Sequence, residues 1–378
     1  MNAESTTGFL VKLADVFEVD ASMVRPDFQL AARWDSVAVL GTIALIQLLR
    51  AQVNSSAQQT QRSPTQASAQ PNAANAEVHI LHVQGNVYML VGAGGNITVQ
   101  AGNDGVLLVD TGLAPASEKV VAAIRQISDK PIRYIINTHV HADHIGGNAA
   151  IAKLGSTIAG GNVVGTIGES ATQGAAVIAF QNILDRMSAA NTPDTATEGA
   201  WPTDTYTGFE KKMFFNGEGI EIIHAPSAHT DGDSVVFFHR SDVISTGDIF
   251  VTETYPVIDL KRGGSIQGIL DTLNRLIAMS IPAEKQEGGT MFVPGHGRLC
   301  DQADVVFYQE MVTIIRDRIQ DMINKGMTFE QVKAAKPTRD YDPRYGRTTG
   351  FWTTDMFVEA VYKNLSEKPA GKSASEER

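Results

Sequence analysis

Apolar residues recur along this chain in two rhythms, and each predicts its own kind of element. Short apolar runs at 107–109, 134–136, 220–223, 235–238, 243–244 and 291–293 read as buried strands. After residue 300 the period lengthens. Met311, Ile314, Ile315, Ile319, Met322 and Ile323 fall at helical spacing within 308–324, Thr328 can cap a short helix through Val332, and 355–365 repeats the helical pattern. Strands with intervening helical stretches predict an α/β fold. Between the strands, 175–187 is apolar with Asn182 and Arg186 interspersed, and 191–208, rich in Thr, Pro and Asp with Trp201 and Tyr206, reads as a loop able to fold over a site. Gly92, Gly94 and Gly95 lie between two strand-like runs with no helix after them, which rejects a dinucleotide fingerprint and predicts a turn or bulge.

The first 76 residues follow neither rhythm for long. Residues 9–19 have helical periodicity, and Trp34-Asp35-Ser36-Val37-Ala38-Val39-Leu40 resembles the serine region of acyl carrier proteins. The resemblance implies a truncated carrier remnant, with Ser36 as the attachment point for phosphopantetheine, and a carrier or scaffold module as one alternative function. The apolar run 37–49, preceded by Arg33 and followed by Ser55-Ser56-Ala57, also has the length of a signal-peptide core. It is too short for a stable membrane span, which needs about 20 residues. Read as a signal, it predicts a periplasmic or secreted protein; a retained extension predicts a cytoplasmic one. Residues 51–76 are a Gln/Ser/Ala/Asn-rich linker with Arg62 as the only charge, and the polar tail 366–378 reads as disordered.

Composition narrows the partners. The chain has 378 residues, 43% hydrophobic and 19% charged, enough to bury a large core. A net charge of -11 argues against a nucleic-acid face, and the short basic pairs Lys211-Lys212 and Lys261-Arg262 read as solvated surface, although the second could meet an anionic substrate. A lone cysteine, Cys300, excludes an internal disulfide framework and reads as a small buried residue.

The chemistry concentrates in Thr138-His139-Val140-His141-Ala142-Asp143-His144-Ile145-Gly146-Gly147, which puts four metal-capable side chains within six residues, directly after an apolar run. In an extended segment His139 and His141 project to one side, while Asp143 and His144 at the following turn can face a second ion, so the spacing suits two metals better than one. Further donors stand after later strand-like runs: His229, Asp248 in Thr246-Gly247-Asp248, and His296 in Pro294-Gly295-His296-Gly297. Imidazole and carboxylate are ligands that zinc accepts in catalytic sites. His79, His82, His224 and His239 read as ordinary surface or core histidines.

This ordered set, spread over roughly residues 77 to 300, resembles the metallo-β-lactamase superfamily, whose hallmark is His-x-His-x-Asp-His followed by a distant His, then Asp, then His. The resemblance implies an αββα sandwich with the metals at one edge and C-terminal helices, in which 1–50 is a helical extension, 51–76 a linker, 77–300 the catalytic domain and 301–365 a helical segment. It also implies one zinc on His139, His141 and His229, a second on Asp143, His144 and His296, and Asp248 bridging them, with Fe or Mn as alternative metals. Asp110, in Leu107-Leu108-Val109-Asp110-Thr111-Gly112, would orient a ligand rather than bind.

A water bridging two such ions is acidic enough to supply hydroxide at neutral pH, with Asp143 holding it and passing its proton to the leaving group. The expected activity is hydrolysis of a small ester, lactone, thioester or amide. β-Lactam hydrolysis is an alternative, weakened because one β-lactamase branch carries cysteine where Asp248 stands. A mononuclear iron persulfide dioxygenase shares the histidine order and is a second alternative. Tyr255, in the loop 252–265, reads as a packing residue, with an oxyanion donor as the rival role. The C-terminal helices are expected to cover the sheet; by similarity to glyoxalase II they could instead bind substrate or make a homodimer contact.

Overall fold

The strand-like runs assemble into two sheets. In the computed structural model, which describes residues 77–156 and 174–367, the first sheet has the order β1 (His79–Gln84), β2 (Val87–Val91), β3 (Ile97–Gly102), β4 (Gly105–Val109), β5 (Ile132–Ile136), β6 (Ala176–Phe180) and β7 (Asp204–Tyr206). Strands β1 to β4 pair antiparallel and β4 to β7 parallel. The second sheet comprises β8 (Glu210–Phe215), β9 (Glu218–His224), β10 (Ser234–Phe238), β11 (Val243–Ser245) and β12 (Met291–Val293), antiparallel except for the parallel β11–β12 pair.

Alternation along each strand decides which layer a side chain joins. On β4, Leu107 and Val109 face the second sheet, while Val106 and Leu108 face outward. On β10, Val236 and Phe238 point inward, and Val235 and Phe237 outward. The inward sets form the core between the sheets. The outward set of the first sheet is covered by α1 (Ser117–Ile127) through Val120, Ala123 and Ile124, residues at i, i+3 and i+4 on one helical face.

Helices α2 (Ala142–Ile145), α3 (Asn148–Lys153) and α4 (Gln181–Ser188) lie between strands of the first sheet. Beyond β11 the chain forms α5 (Ile266–Met279), α6 (Gln302–Asn324), α7 (Phe329–Ala334), α8 (Asp342–Tyr345) and α9 (Thr354–Ser366). Ile269 and Leu273 of α5, Val312 and Ile315 of α6, and Phe357 and Val361 of α9 share one core with the outward face of the second sheet. The layers are therefore helix, sheet, sheet, helix, the αββα arrangement expected. The C-terminal helices form the outer layer over the second sheet, as their periodicity suggested. Asp301 and Asp304 close a capping box at the start of α6, and Thr328 with Gln331 does the same for α7.

The sequence assigns no element to one segment, and another differs from its reading. Residues 175–187, read only as apolar, divide after Phe180 into strand β6 and helix α4. Within 191–208, Glu198–Ala200 forms a 3-10 turn and Asp204–Tyr206 pairs with β6 as an edge strand, and the rest remains loop. The helical extension 1–50 with Ser36, the linker 51–76 and nearly all of the tail 366–378 lie outside the described residues. The described residues all belong to the unit Ser68–Arg378. Among them no helix is long and apolar enough to cross a membrane.

Candidate metal centre

The parallel pairs set the position of the site. Because β4 and β5 run in the same direction, Asp110 and the segment after Ile136 emerge at the same edge; β11 and β12 deliver Asp248 and His296 likewise. Gly95 N donates to Asp143 O at 3.0 Å and Asn96 N to Gly295 O at 2.8 Å, joining the segments that carry the donors.

At that edge the structure brings together all seven predicted donors in two groups, His139, His141, His229 and Asp248, and Asp143, His144 and His296, with the donor atoms of each group within 4.8 Å of one another. Asp248 lies between the groups. Its Oδ2 is 3.9 Å from both His139 Nε2 and His229 Nε2, and its Oδ1 is 3.2 Å from His144 Nε2 and 3.5 Å from His296 Nε2. One carboxylate thus offers an oxygen to each group, the disposition that a bridging ligand requires.

Four of the five histidines have their remote nitrogen held. His139 Nδ1 lies 3.0 Å from Thr138 Oγ1, His229 Nδ1 2.7 Å from Val257 O, His144 Nδ1 2.8 Å from Asp110 Oδ2, and His141 Nε2 3.0 Å from Asp259 Oδ2. Such contacts fix the ring and aim the other nitrogen at the site. Accordingly His141 turns Nδ1 inward, 2.9 Å from His229 Nε2, whereas the other four present Nε2. Asp110 is placed against the remote nitrogen of His144, the position an orienting residue would take. Its backbone is left-handed, φ 65°, uncommon for a residue with a side chain, and its carboxylate also accepts from Thr138 N at 2.8 Å and Thr138 Oγ1 at 2.7 Å. Those bonds hold the turn in place.

These donors fit a divalent cation. His139 Nε2 and Asp248 Oδ1 are buried and have no hydrogen-bond partner, a costly state for polar atoms unless something else satisfies them. Burial holds His139 well below the usual imidazole pKa and brings His229 down to about 4, so both favour the neutral form that binds metal. At His144 burial acts in the same sense, but the Asp248 and Asp110 carboxylates outweigh it and raise the pKa. Burial would raise Asp143, yet its hydrogen bond to His296 and the charge of His144 bring it to about 2, so it is ionised at neutral pH. Nitrogen and carboxylate donors suit zinc and also iron or manganese.

The donors line a cleft of about 1360 Å³. Residues 193–197 and Ala200 of the segment before β7 form one wall, as the sequence suggested for 191–208, and Val251, Glu253, Thr254 and Val257 form another. Sequence reading missed Asp259 and Asp194. Asp259 joins His141 to Arg262, whose Nη1 is 2.5 Å from Asp259 Oδ2, and Arg262 Nε donates to the two Asp194 oxygens at 3.0 and 2.9 Å. This corrects the reading of Lys261-Arg262 as surface or as a receptor for an anion: Lys261 is exposed, but Arg262 turns inward and is committed to two carboxylates. No spacing rule links residues 194, 259 and 141, so the sequence carried no signal for this contact. Tyr255 is buried, with its hydroxyl 2.9 Å from Asp342 Oδ1, a packing residue as expected. Cys300 is buried too, which pushes its thiol up to about 12, and it belongs to neither donor group. His224 stacks on Phe180, and His239 pairs with Glu221.

Comparison with known proteins agrees with this geometry. The Metallo-beta-lactamase superfamily profile matches residues 90–297. A linear primary-alkylsulfatase of Pseudomonas sp. (strain ATCC 19151) is 26% identical over 294 residues, covering 69% of this chain and 53% of the relative. Among solved structures, the stereoselective inverting sec-alkylsulfatase Pisa1 from Pseudomonas sp. superposes with a TM-score of 0.55 at 16% identity, covering 79% of this chain and 52% of the other. At that identity the likeness is one of fold. The chain spans about half the length of these relatives.

Proposed function

The chain belongs to the metallo-β-lactamase superfamily, and from that premise we propose that it is a dinuclear zinc hydrolase acting on a small ester, lactone, thioester or amide. The observation that carries the reading is Asp248, whose two oxygens face two separate donor groups and whose Oδ1 has no hydrogen-bond partner. His139, His141 and His229 would hold one ion and Asp143, His144 and His296 the other, with Asp248 between them, and the pair would supply Lewis acidity and a water nucleophilic near neutral pH.

The chain's own residues do the rest. Asp143 is partly exposed in the cleft, with Oδ2 3.2 Å from His296 Nε2. Its other oxygen is available to accept a hydrogen bond from the attacking water and to carry that proton to the leaving group, the work of a general base and then a general acid. Thr138, Asp110, Asp259 and the Val257 carbonyl keep the imidazoles aimed, so the site needs little rearrangement during the reaction.

Sulfate-ester hydrolysis is the second reading, motivated by the alkylsulfatase relative. The test of both is metal content per chain, by elemental analysis of protein purified without added metal, paired with hydrolysis of a phenyl ester, a lactone, a thioester, an alkyl sulfate and a β-lactam. Close to two zinc ions with turnover of a carbonyl ester supports the proposal. Turnover of the alkyl sulfate alone moves the sulfatase reading to first place. One iron and no hydrolysis overturns both and favours persulfide oxidation.

A further inference from the structure

The cleft is far larger than the bond to be cleaved, about 1360 Å³. Besides the metal donors, its lining carries the apolar side chains of Leu113, Val140, Ile145, Met187, Val251 and Phe351. Phe351 is the only Phe, Tyr or Trp among the described residues lining the cleft, and it is 74% exposed. A large ring left in water gains free energy when an apolar partner covers it.

The loop that carries Phe351 is anchored on both sides. Trp352 Nε1 donates to Pro256 O at 3.1 Å, and Arg347 donates to Glu253 O at 3.3 Å. Between these anchors Gly350 takes φ 110°, a backbone region that side chains disfavour, and a Cβ there would meet nothing within 4 Å. The glycine is therefore required by the turn rather than by crowding. The turn holds the ring at the lip of the cleft, on a loop contributed by the C-terminal helical layer.

Charge gives an independent constraint. Among the described residues lining the cleft Arg262 is the only Lys or Arg, and both Asp194 and Asp259 occupy its guanidinium. The remaining charged lining residue outside the donor set is Glu253. A carboxylate or phosphate on the part of a substrate remote from the metals would meet no unpaired cation among the described residues that line the cleft, and would face Glu253.

We propose that the site takes a substrate with one polar cleavable head and an uncharged apolar body, and that Phe351 is a specificity-determining residue covering that body. The inference rests on the hydrolase reading and names its substrate class: alkyl or acyl esters and alkyl-bearing lactones, not thioesters of anionic carriers.

Three p-nitrophenyl esters test it on the metal-loaded full chain: the acetate, the octanoate, and the mono-ester of suberate, which matches the octanoate in length but ends in a carboxylate. The expected kcat/KM is at least about tenfold higher for octanoate than for the suberate mono-ester. In Phe351→Ser the octanoate-to-acetate ratio of kcat/KM should fall at least about fivefold, through KM. Equal or faster turnover of the suberate mono-ester, or an unmoved ratio, overturns the proposal. Nile red, an uncharged apolar dye, supplies a readout independent of turnover. Its fluorescence titration should show at least about fivefold weaker binding to Phe351→Ser, and unchanged binding overturns the assignment of Phe351. If no ester is hydrolysed while the dye still distinguishes the two proteins, the hydrolase reading fails and the apolar subsite stands.

Discussion

At the scale of single residues the site is a set of imidazoles, most of them gripped from behind. The donors themselves were legible in the sequence because they follow apolar runs in a fixed order. The grips were legible only where they sit inside the same motif, as Thr138 does, or at a strand end, as Asp110 does. Asp259 comes from a loop that crosses the site from outside the sheets, and nothing in its neighbourhood distinguishes it from a surface aspartate. It makes a sharp prediction. Asp259→Ala removes the partner of His141 Nε2 while leaving Arg262 bound to Asp194, so metal affinity at the first donor group should fall roughly 10–100-fold. Competition with a chromophoric chelator measures this, and an unchanged affinity would make Asp259 only a partner of Arg262. Asp143→Asn separates binding from chemistry. Turnover should fall by at least about 100-fold with the circular dichroism spectrum intact, and retained activity would remove Asp143 from the proposed mechanism.

At the scale of elements, close backbone approach decides whether the donor groups meet. The turn after β12 reaches the turn after β11 so closely that a Cβ on Gly295 would lie 2.0 Å from Asp248 Oδ1 and 2.6 Å from the Gly247 carbonyl carbon. No rotamer change relieves the backbone contact. Gly295→Ala should therefore force the two turns apart, shift the Asp248 carboxylate, lower metal content below that of the parent and cost about 1–3 kcal/mol of stability. Metals per chain and the urea midpoint report the two effects separately; a variant with full metal content would show that the turns can slide without disturbing Asp248. The strands bearing these turns were readable because their apolar runs are continuous. Strand β7 was not, since Asp-Thr-Tyr is too short and too polar to show a period, and it exists because the edge of β6 offers it hydrogen bonds. The break between β6 and α4 was hidden for a different reason: Gln181 and Asn182 interrupt the apolar residues only briefly before Ile183, Leu184 and Met187, and Ile183 and Met187 are buried.

At the scale of the molecule, the outer helical layer and the site are parts of one packing unit, joined by Tyr255. The residue lies in the segment that also supplies Val257 O to His229 and Asp259 to His141. Its ring stacks on Phe357 of α9, centroids 4.7 Å apart, and its hydroxyl donates to Asp342 Oδ1 at 2.9 Å and Thr338 O at 3.2 Å. The hydroxyl is committed to the C-terminal layer, so it is not available to a developing oxyanion. Burial, with the Asp342 carboxylate beside it, also pushes the phenol well above its ordinary pKa, which keeps it a neutral donor throughout the working pH range. Tyr255→Phe keeps the ring and deletes only the hydrogen bonds, and should cost about 0.5–1.5 kcal/mol in urea denaturation with kcat unchanged. Tyr255→Ala opens a cavity in the core beneath the site, and should cost about 3–5 kcal/mol and reduce metal content as well, because the 252–265 segment loses its anchor. A fall in kcat for Tyr255→Phe without loss of stability would instead make the hydroxyl an oxyanion donor, and the C-terminal layer would have to move during turnover to release it.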